Sequence, residues 1–269
     1  MSVIGQGYPN LEYLIIDGGS TDDSVNILKK YDKHIAYWVS EKDQGQSDAI
    51  NKGFRRATGD ILGWLNSDDL YLPGTLLYLA SQIKPGLPQV VFGNCFHFIE
   101  NSPSSWGSDV TKWGKTYDLR LFNYVIQPSS FWTREAWSQT GDLDSSLHYV
   151  FDWDWFIRAQ QSSVAFTAVN RYLALFRFHS THKSSAGGDK RSQEIASLYK
   201  KYAGEKYVAA FHRLCERKSR LDNFEKWIHK FRLGRLKTRL FRAAYPDIFR
   251  EIDEMETQSL RLMLPPPPV

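Results

Sequence analysis

The chain has 269 residues, 42% of them hydrophobic and 14% aromatic, which excludes a disordered protein and allows one large or two small domains. Residues 200–250 contain 15 Lys/Arg and 5 Asp/Glu, a net charge of +10, so the rest of the chain carries 4 − 10 = −6. This asymmetry excludes a uniformly basic nucleic-acid-binding protein, and we expect no nucleic-acid partner. The sequence shows neither an uncharged apolar run of about 18 residues nor a signal peptide, which predicts a cytoplasmic location.

The first 83 residues alternate between apolar runs and segments with helical spacing. The predicted strands are Leu11–Ile16, Ile35–Val39 and Ile61–Leu65, and the helices that follow them end near Tyr31, Ala57 and Ile83. Strands that are apolar on both faces and alternate with helices are typical of parallel sheets covered by helices on each side. This half therefore predicts an α/β fold with a mainly parallel sheet.

The second half of the chain is less regular. Its predicted strands are Val90–Ile99, Ser129–Trp132, Ala165–Asn170 and Leu173–Phe178, with a loop over residues 101–114 and a helix over residues 151–161. From Asp189 onward the pattern is helical and charged, with a break at Tyr245-Pro246. We therefore predict an α/β domain over residues 1–188, a basic helical extension over 189–264 and a Pro-rich tail over 265–269.

Two adjacent carboxylates, Asp68 and Asp69, follow the strand predicted over Ile61–Leu65. Ligands of parallel sheets bind at the carboxyl ends of strands, and hard oxygen donors suit Mg²⁺ or Mn²⁺. A divalent ion held there could carry a diphosphate. The alternative is that the Asp-Asp pair opens a turn and caps the next helix.

Four motifs together resemble a known family. They are Asp17-Gly18-Gly19-Ser20-Thr21-Asp22, Asp48-Ala49-Ile50-Asn51-Lys52-Gly53, Leu65-Asn66-Ser67-Asp68-Asp69 and Asp152-Trp153-Asp154-Trp155-Phe156. In this order and spacing they resemble the family-2 glycosyltransferases, which are inverting enzymes of the GT-A fold that use nucleotide-diphosphate sugars. The resemblance covers residues 2–183. It implies a GT-A-like, Rossmann-related domain that lacks the first strand of its relatives.

The resemblance implies a donor site built from several strand ends. Asp17 matches the aspartate that binds the base of the donor, with capping of the following helix as the alternative. Gln46 and Asp48 match positions that contact the sugar or the phosphates, and capping is again the alternative. Asp68 matches the main metal ligand, and Asp69 assists it directly or through a neighbour. Asn66 stands where many relatives carry an aspartate.

The resemblance also implies the residues on the acceptor side. Asp152 matches the general base, with Phe151 where relatives often carry Glu. Asp154 lies about 200° away on the same helix and pairs structurally with Arg158 at i+4. Gln127 would line the acceptor side, and His179 would add a metal ligand from a loop that closes over the donor, with a plain surface loop residue as the alternative.

The resemblance therefore implies a metal-dependent inverting glycosyltransferase of the hexosyltransferase type, with Mn²⁺ or Mg²⁺ as cofactor. The acceptor would be a saccharide or a lipid-linked sugar in polysaccharide, glycan or glycolipid synthesis. Three tryptophans, Trp106, Trp113 and Trp132, either stack on that acceptor or pack in the core. The alternative functions are a nucleotidyltransferase and a catalytically impaired remnant that binds a sugar or nucleotide.

The basic extension admits two interpretations. Residues 224–245 mix apolar side chains with Lys and Arg, as in an interfacial helix drawn to anionic lipid at the inner face of the membrane. The alternative is a helical hairpin packed on the body with a solvated basic face.

Overall fold

The computed structural model describes residues 1–179, 183 and 187–264, apart from the side chain of residue 235. The strands are β1 Leu14–Asp17, β2 Tyr37–Ser40, β3 Ile61–Leu62, β4 Leu70–Tyr71, β5 Gln89–Ile99, β6 Ser105–Gly107, β7 Ser130–Thr133 and β8 Ala165–Phe178. The helices before residue 180 are α1 Ser24–Tyr31, α2 Gln46–Arg56, α3 Thr75–Gln82, α4 Val110–Thr116, α5 Arg134–Thr140 and α6 Phe151–Gln161. Those that follow are α7 Gly188–Tyr202, α8 Glu205–Glu216, α9 Lys218–Lys230, α10 Lys237–Ala244 and α11 Glu254–Leu262. Shorter 3₁₀ turns lie at Ile4–Gln6, Asp32–His34, Gln127–Ser129, Gly234–Leu236 and Ile248–Arg250.

The strands form two sheets. Strands β1 and β2 pair in parallel, and the second sheet has the order β3-β7-β5-β8-β4, with β6 on β5. The prediction of an α/β fold with a mainly parallel sheet is confirmed for the described residues, since the two longest pairings, β1 with β2 and β5 with β8, run parallel. The shorter pairings, β3 with β7, β4 with β8, β5 with β6 and β5 with β7, are antiparallel. The apolar runs indicated strands that are buried on both faces, as parallel strands are, but they did not show which of the short strands pair antiparallel.

Other local predictions need correction in the second half. The predicted loop over residues 101–114 contains β6 and the start of α4, and the two strands predicted over residues 165–178 are one strand, β8. Its pairing with β5 slips at Gly93 and Asn94, where a side chain on Gly93 would clash with the backbone oxygen of Arg171. This irregularity explains why the sequence pattern breaks there although the strand continues.

Aromatic side chains fill the space between the second sheet and the helices α2, α5 and α6. Trp132 of β7 is fully buried, and its ring centroid lies 4.7 Å from that of Trp155 and 5.5 Å from that of Phe54. Rings of this size bury a large apolar area and pack at an angle to one another, as these do. Of the two alternatives for Trp132, core packing is therefore the one observed.

The chain divides into two compact units. The first comprises residues 1–115 and 125–182, and the second comprises residues 116–124 and 183–269. The predicted boundary after residue 188 lies close to the point where the second unit resumes. Within the second unit, the Tyr199 hydroxyl donates a hydrogen bond to the Leu121 carbonyl at 3.0 Å, which ties the 116–124 segment to α7. The predicted Pro-rich tail, residues 265–269, lies outside the described residues.

Burial of His97 predicts an acid-sensitive fold. Burial lowers the pKa of His97 to about 4, and its Nδ1 has no hydrogen-bond partner among the described residues. An unfolded histidine has a pKa near 6.5, so between about pH 6.5 and pH 4 the unfolded chain binds a proton that the native ring resists. Stability is therefore complete above pH 6.5 and falls by about 3 kcal/mol as the pH drops to 4.

We expect His97→Phe to flatten this part of the stability profile, because phenylalanine cannot bind the proton. Urea unfolding at several pH values from 4.5 to 7.5 measures the effect. The control is His34→Phe, since His34 is an exposed histidine of the same unit. An unchanged pH dependence in His97→Phe would show that other groups cause the acid sensitivity.

Candidate active site

Asp68 and His179 meet at the end of β8. The antiparallel pairing of β4 with β8 sets Leu70 opposite Leu175, so the residues just before β4 lie beside those that end β8. The Asp68 Oδ2 atom lies 3.0 Å from Nε2 of His179, and both side chains are partly exposed. These two predicted metal ligands, 111 positions apart in the sequence, are thus neighbours in the fold.

Asp69 points into the protein. Its side chain is buried, its Oδ1 accepts a hydrogen bond from the Arg177 backbone N–H at 3.2 Å, and its Oδ2 faces Nδ2 of Asn66 at 3.4 Å. Burial, and then the charge of Asp68, raise the pKa of Asp69 to about 7. The contacts of Asp69 fasten the Asp-Asp turn to β8, and this arrangement holds Asp68 beside His179.

Asn66 links three of the predicted site residues. Its Oδ1 accepts a hydrogen bond from Gln46 Nε2 at 2.7 Å, and its Nδ2 donates to Gln127 Oε1 at 3.1 Å as well as facing Asp69. Gln127 in turn donates to the Trp64 carbonyl at 2.6 Å. An aspartate at position 66 could accept from Gln46 but could not donate to Gln127. The sequence identified Asn66 only as a departure from relatives, whereas the structure makes it the centre of the network.

The start of α2 positions the side chain of Gln46. Gly45, which precedes it, has φ of 117°, a conformation that favours glycine. The helix then begins at Gln46, and its amide reaches Asn66 instead of capping α2. For Gln46, therefore, the structure does not show the capping role that was the alternative.

Asp17 and Asp48 both accept hydrogen bonds from nearby groups of the protein. Asp17, at the end of β1, accepts hydrogen bonds from both the N–H and hydroxyl of Ser20, from Gly19 N–H and from the Ser40 hydroxyl. Burial opposes ionisation of Asp17, but the bonds from Ser20 and Ser40 outweigh it and lower the pKa of Asp17. Asp48 accepts from Gln44 N–H, which lowers the pKa of Asp48, and lies 3.4 Å from Lys52 Nζ.

Two aspartates of α6 have different environments. Asp152, the second residue of the helix, is half-buried and accepts a hydrogen bond from Trp153 N–H at 2.8 Å. Asp154 is fully buried and lies 2.7 Å from Nε of Arg158, which confirms the predicted structural pair. The Arg158 guanidinium also donates to the carbonyls of Thr140 and Asp142, so it anchors α6 to the end of α5.

An aromatic contact joins the start of α6 to the turn that carries Asp68. The Trp64 ring lies 6.3 Å from that of Phe151, the residue before Asp152. Trp64 also accepts the hydrogen bond from Gln127 through its carbonyl. The start of α6 is therefore packed against the segment from which Asn66 and Asp68 project.

The site offers two ligands for a metal ion and not a complete coordination sphere. Asp68 supplies a carboxylate oxygen and His179 an imidazole nitrogen within hydrogen-bond distance of each other. Throughout residues 1–179, 183 and 187–264, no group of three or more His, Cys, Asp or Glu side chains is arranged to hold a metal. Any further ligands of an ion at this pair would have to come from a bound substrate or from water.

Comparisons with known proteins agree with this architecture. The family described as "Glycosyl transferase family 2" matches residues 1–134. An uncharacterized glycosyltransferase of Mycobacterium tuberculosis is 45% identical over 71 residues, which cover 26% of this chain and 27% of the relative. A PGL/p-HBAD biosynthesis glycosyltransferase of Mycobacterium bovis is 28% identical over 180 residues, which cover 64% of this chain and 66% of the relative.

Solved structures show the same fold. TarS of S. aureus in complex with UDP-GlcNAc superposes with a TM-score of 0.58 at 16% identity, over 81% of this chain and 67% of that one. The mannosyltransferase PcManGT from Pyrobaculum calidifontis, in complex with GDP-Man and Mn²⁺, gives a TM-score of 0.55 at 15% identity, over 74% of this chain and 57% of that one. The strand ends that carry Asp17, Asp68 and His179 thus belong to a GT-A fold, and residues 1–134 of the chain match glycosyltransferase family 2.

Proposed function

We propose that this protein is an inverting, metal-dependent glycosyltransferase of the hexosyltransferase type. It would move a sugar from a nucleotide-diphosphate sugar to the hydroxyl of a saccharide or lipid-linked acceptor, in polysaccharide, glycan or glycolipid synthesis. The observation that carries the proposal is the pairing of Asp68 with His179 beside the network centred on Asn66. The nucleotide sugars bound by TarS and PcManGT support the choice of donor class.

The chemistry of the Asp68–His179 pair suits a divalent ion. A carboxylate oxygen together with an imidazole nitrogen favours Mn²⁺ over Mg²⁺, which prefers oxygen ligands throughout. When bound, such an ion neutralises the charge that develops on a departing diphosphate. In this proposal Asp68 is the principal ligand, His179 the second, and Asp69 keeps the turn in place through Arg177.

The remaining residues position the two substrates. Asp17 would bind the base of the donor by exchanging one of its loop hydrogen bonds, and Asp48 and Gln46 would face the phosphates or the sugar. Gln127, on the other side of Asn66, would line the acceptor side. Asp152 accepts the proton of the acceptor hydroxyl as that oxygen attacks the anomeric carbon opposite the nucleotide. The bond to the diphosphate breaks in the same step, so the anomeric configuration inverts.

The test is a panel of UDP-, GDP- and dTDP-sugars incubated with the protein and Mn²⁺, with and without a chelator. Release of nucleoside diphosphate that stops when the chelator is added is the expected result. Release of pyrophosphate would instead identify a nucleotidyltransferase. Donor binding without turnover, measured by calorimetry, would identify a remnant that has kept the fold and lost the reaction.

We also propose that the second unit contacts anionic membrane. Trp227 of α9 and Phe231, the residue that follows this helix, are 44% and 54% accessible, and their ring centroids lie 5.5 Å apart. The exposed Lys226, Lys230 and Arg232 flank them. Aromatic rings among basic side chains are typical of surfaces that lie in the headgroup region of anionic lipid, where each basic residue contributes about 1 kcal/mol. Among the described residues, no helix is long and apolar enough to cross a bilayer.

We expect the protein to sediment with vesicles that contain phosphatidylglycerol and to be released by high salt. Trp227→Ala combined with Phe231→Ala should weaken this binding at least tenfold, because the apolar anchors are lost. The matched control is Ile27→Ala combined with Leu77→Ala, two exposed apolar residues of the first unit. Equal binding to neutral phosphatidylcholine vesicles, or equal loss in the control, would contradict the assignment.

A further inference from the structure

Four rings form a cluster on one face of the second sheet, at the end where β8 reaches His179. Trp106 of β6 is the strand partner of His97 on β5, and the two rings are stacked at 5.3 Å with an angle of 2° between their planes. Phe178 packs against Trp106 at 5.5 Å, and Phe176 against Phe178 at 4.9 Å. Cross-strand pairing therefore holds the Trp106 indole in a defined orientation.

The cluster is buried on the inside and open on the outside. His97 is buried, whereas Trp106 remains 44% accessible even though His97 and Phe178 pack against it. Because burial lowers the pKa of His97 to about 4, the ring beneath the indole is uncharged at neutral pH. Trp106 is thus a rigid, exposed aromatic surface on an uncharged support. Trp113 and Trp132 were the other two candidates for stacking on the acceptor. They are less exposed than Trp106, since Trp132 is fully buried and Trp113 is half-buried in α4.

The cluster is continuous with the candidate active site. Phe178 is bonded through the backbone to His179, whose ring lies 3.0 Å from Asp68. The N–H of Arg177, the residue before Phe178, donates to Asp69. Glu100, whose N–H donates to the Phe178 carbonyl, pairs with Arg177 at 3.4 Å at the same end of the sheet. The Arg177 side chain leaves β8 on the face opposite Phe176 and Phe178, so its pair with Glu100 lies across the sheet from the cluster, and Phe178 is the residue that connects the cluster to His179.

We propose that Trp106 is the stacking surface for the sugar ring of the acceptor. The inference rests on the proposed function and adds to it the location of the acceptor. A pyranose ring has an apolar face of C–H groups that packs on a flat aromatic surface, while its rim of hydroxyls stays in contact with water or polar groups. The exposed indole of Trp106 provides such a surface, and its contact with Phe178, the residue before His179, places a stacked sugar at the end of β8 that carries a proposed metal ligand.

The test uses methyl glycosides of glucose, galactose, mannose and N-acetylglucosamine as probes, with binding measured by saturation-transfer NMR on the full chain. We expect at least one probe to receive saturation from the wild-type protein, about tenfold weaker binding in Trp106→Ala and near-normal binding in Trp106→Phe. The matched control is Phe96→Ala. Phe96 is 38% accessible and lies next to His97, but successive strand residues point to opposite faces of the sheet.

Turnover separates this inference from the proposed function. Nucleoside diphosphate release without acceptor, which reports transfer to water, should be equal in the wild type and Trp106→Ala, whereas transfer to the bound glycoside should fall. A second possible result is that no donor is turned over, while the probe binds the wild type and not Trp106→Ala. This result would refute the proposed function and still support sugar binding at Trp106. Probe binding that is unchanged in Trp106→Ala, lost equally in Phe96→Ala, or absent from the wild type for the whole panel overturns the inference.

Discussion

Asp152→Asn is expected to lower the rate of sugar transfer by about 10³-fold while leaving donor binding unchanged. General-base catalysis contributes on the order of 10² to 10⁴ in rate, and an amide cannot accept the proton of the acceptor hydroxyl. Asp152 is half-buried at the second position of α6, so the isosteric change should cost little stability. Steady-state rates of nucleoside diphosphate release and calorimetric titration of the donor measure the two parts of this prediction.

Asp154→Asn is the matched control, because it makes the same change two residues along the same helix. Asp154 is fully buried and paired with Arg158 at 2.7 Å, and removing one partner of a buried pair costs about 3–5 kcal/mol. We therefore expect Asp154→Asn to unfold at lower urea concentration and to retain turnover under conditions where it is folded. If instead Asp154→Asn abolishes turnover without loss of stability while Asp152→Asn stays active, the two roles have been assigned in reverse.

The structural role of Asp154 could be predicted because it follows from helix geometry alone. Residues two apart on a helix project about 200° from each other, and a carboxylate and a guanidinium four apart lie on the same face. The pairing of Asp154 with Arg158 depends on nothing outside α6. Local patterns of this kind were also sufficient to predict most helices of the chain. They also predicted the break at Tyr245, since α10 ends at Ala244.

Strand direction and pairing could not be predicted in the same way. The contact of Asp68 with His179 requires β4 to pair antiparallel with β8. The sequence of neither strand indicates which other strand it pairs with. The role of Asn66 is hidden for the same reason, since its three partners come from α2, the Asp-Asp turn and the turn before β7. A polar side chain that is even partly buried needs hydrogen-bond partners, so the asparagine between an apolar strand and two aspartates was the signal available in the sequence. The partners themselves emerge only from the tertiary structure.

Asp68→Asn is expected to weaken Mn²⁺ binding and to lower turnover by about 10²-fold or more. The substitution removes the charge of the principal proposed ligand, and electrostatic stabilisation of a departing group is worth several kcal/mol. His179→Ala should have a smaller effect, because it removes a neutral ligand and leaves the Asp68 carboxylate in place. Titration of Mn²⁺ followed by electron paramagnetic resonance, in the presence of UDP or GDP, measures the affinity independently of turnover.

Asp60→Asn controls for the loss of a negative charge near the same strand. Asp60 is exposed and immediately precedes β3, at the end opposite the Asp-Asp turn, so its substitution should change neither the Mn²⁺ affinity nor the rate. Asp68→Asn should also leave the urea midpoint near that of the wild type, since Asp69, and not Asp68, fastens the turn to β8. Wild-type Mn²⁺ affinity in Asp68→Asn, or an equal loss in Asp60→Asn, would show that the ion does not bind at Asp68 and His179.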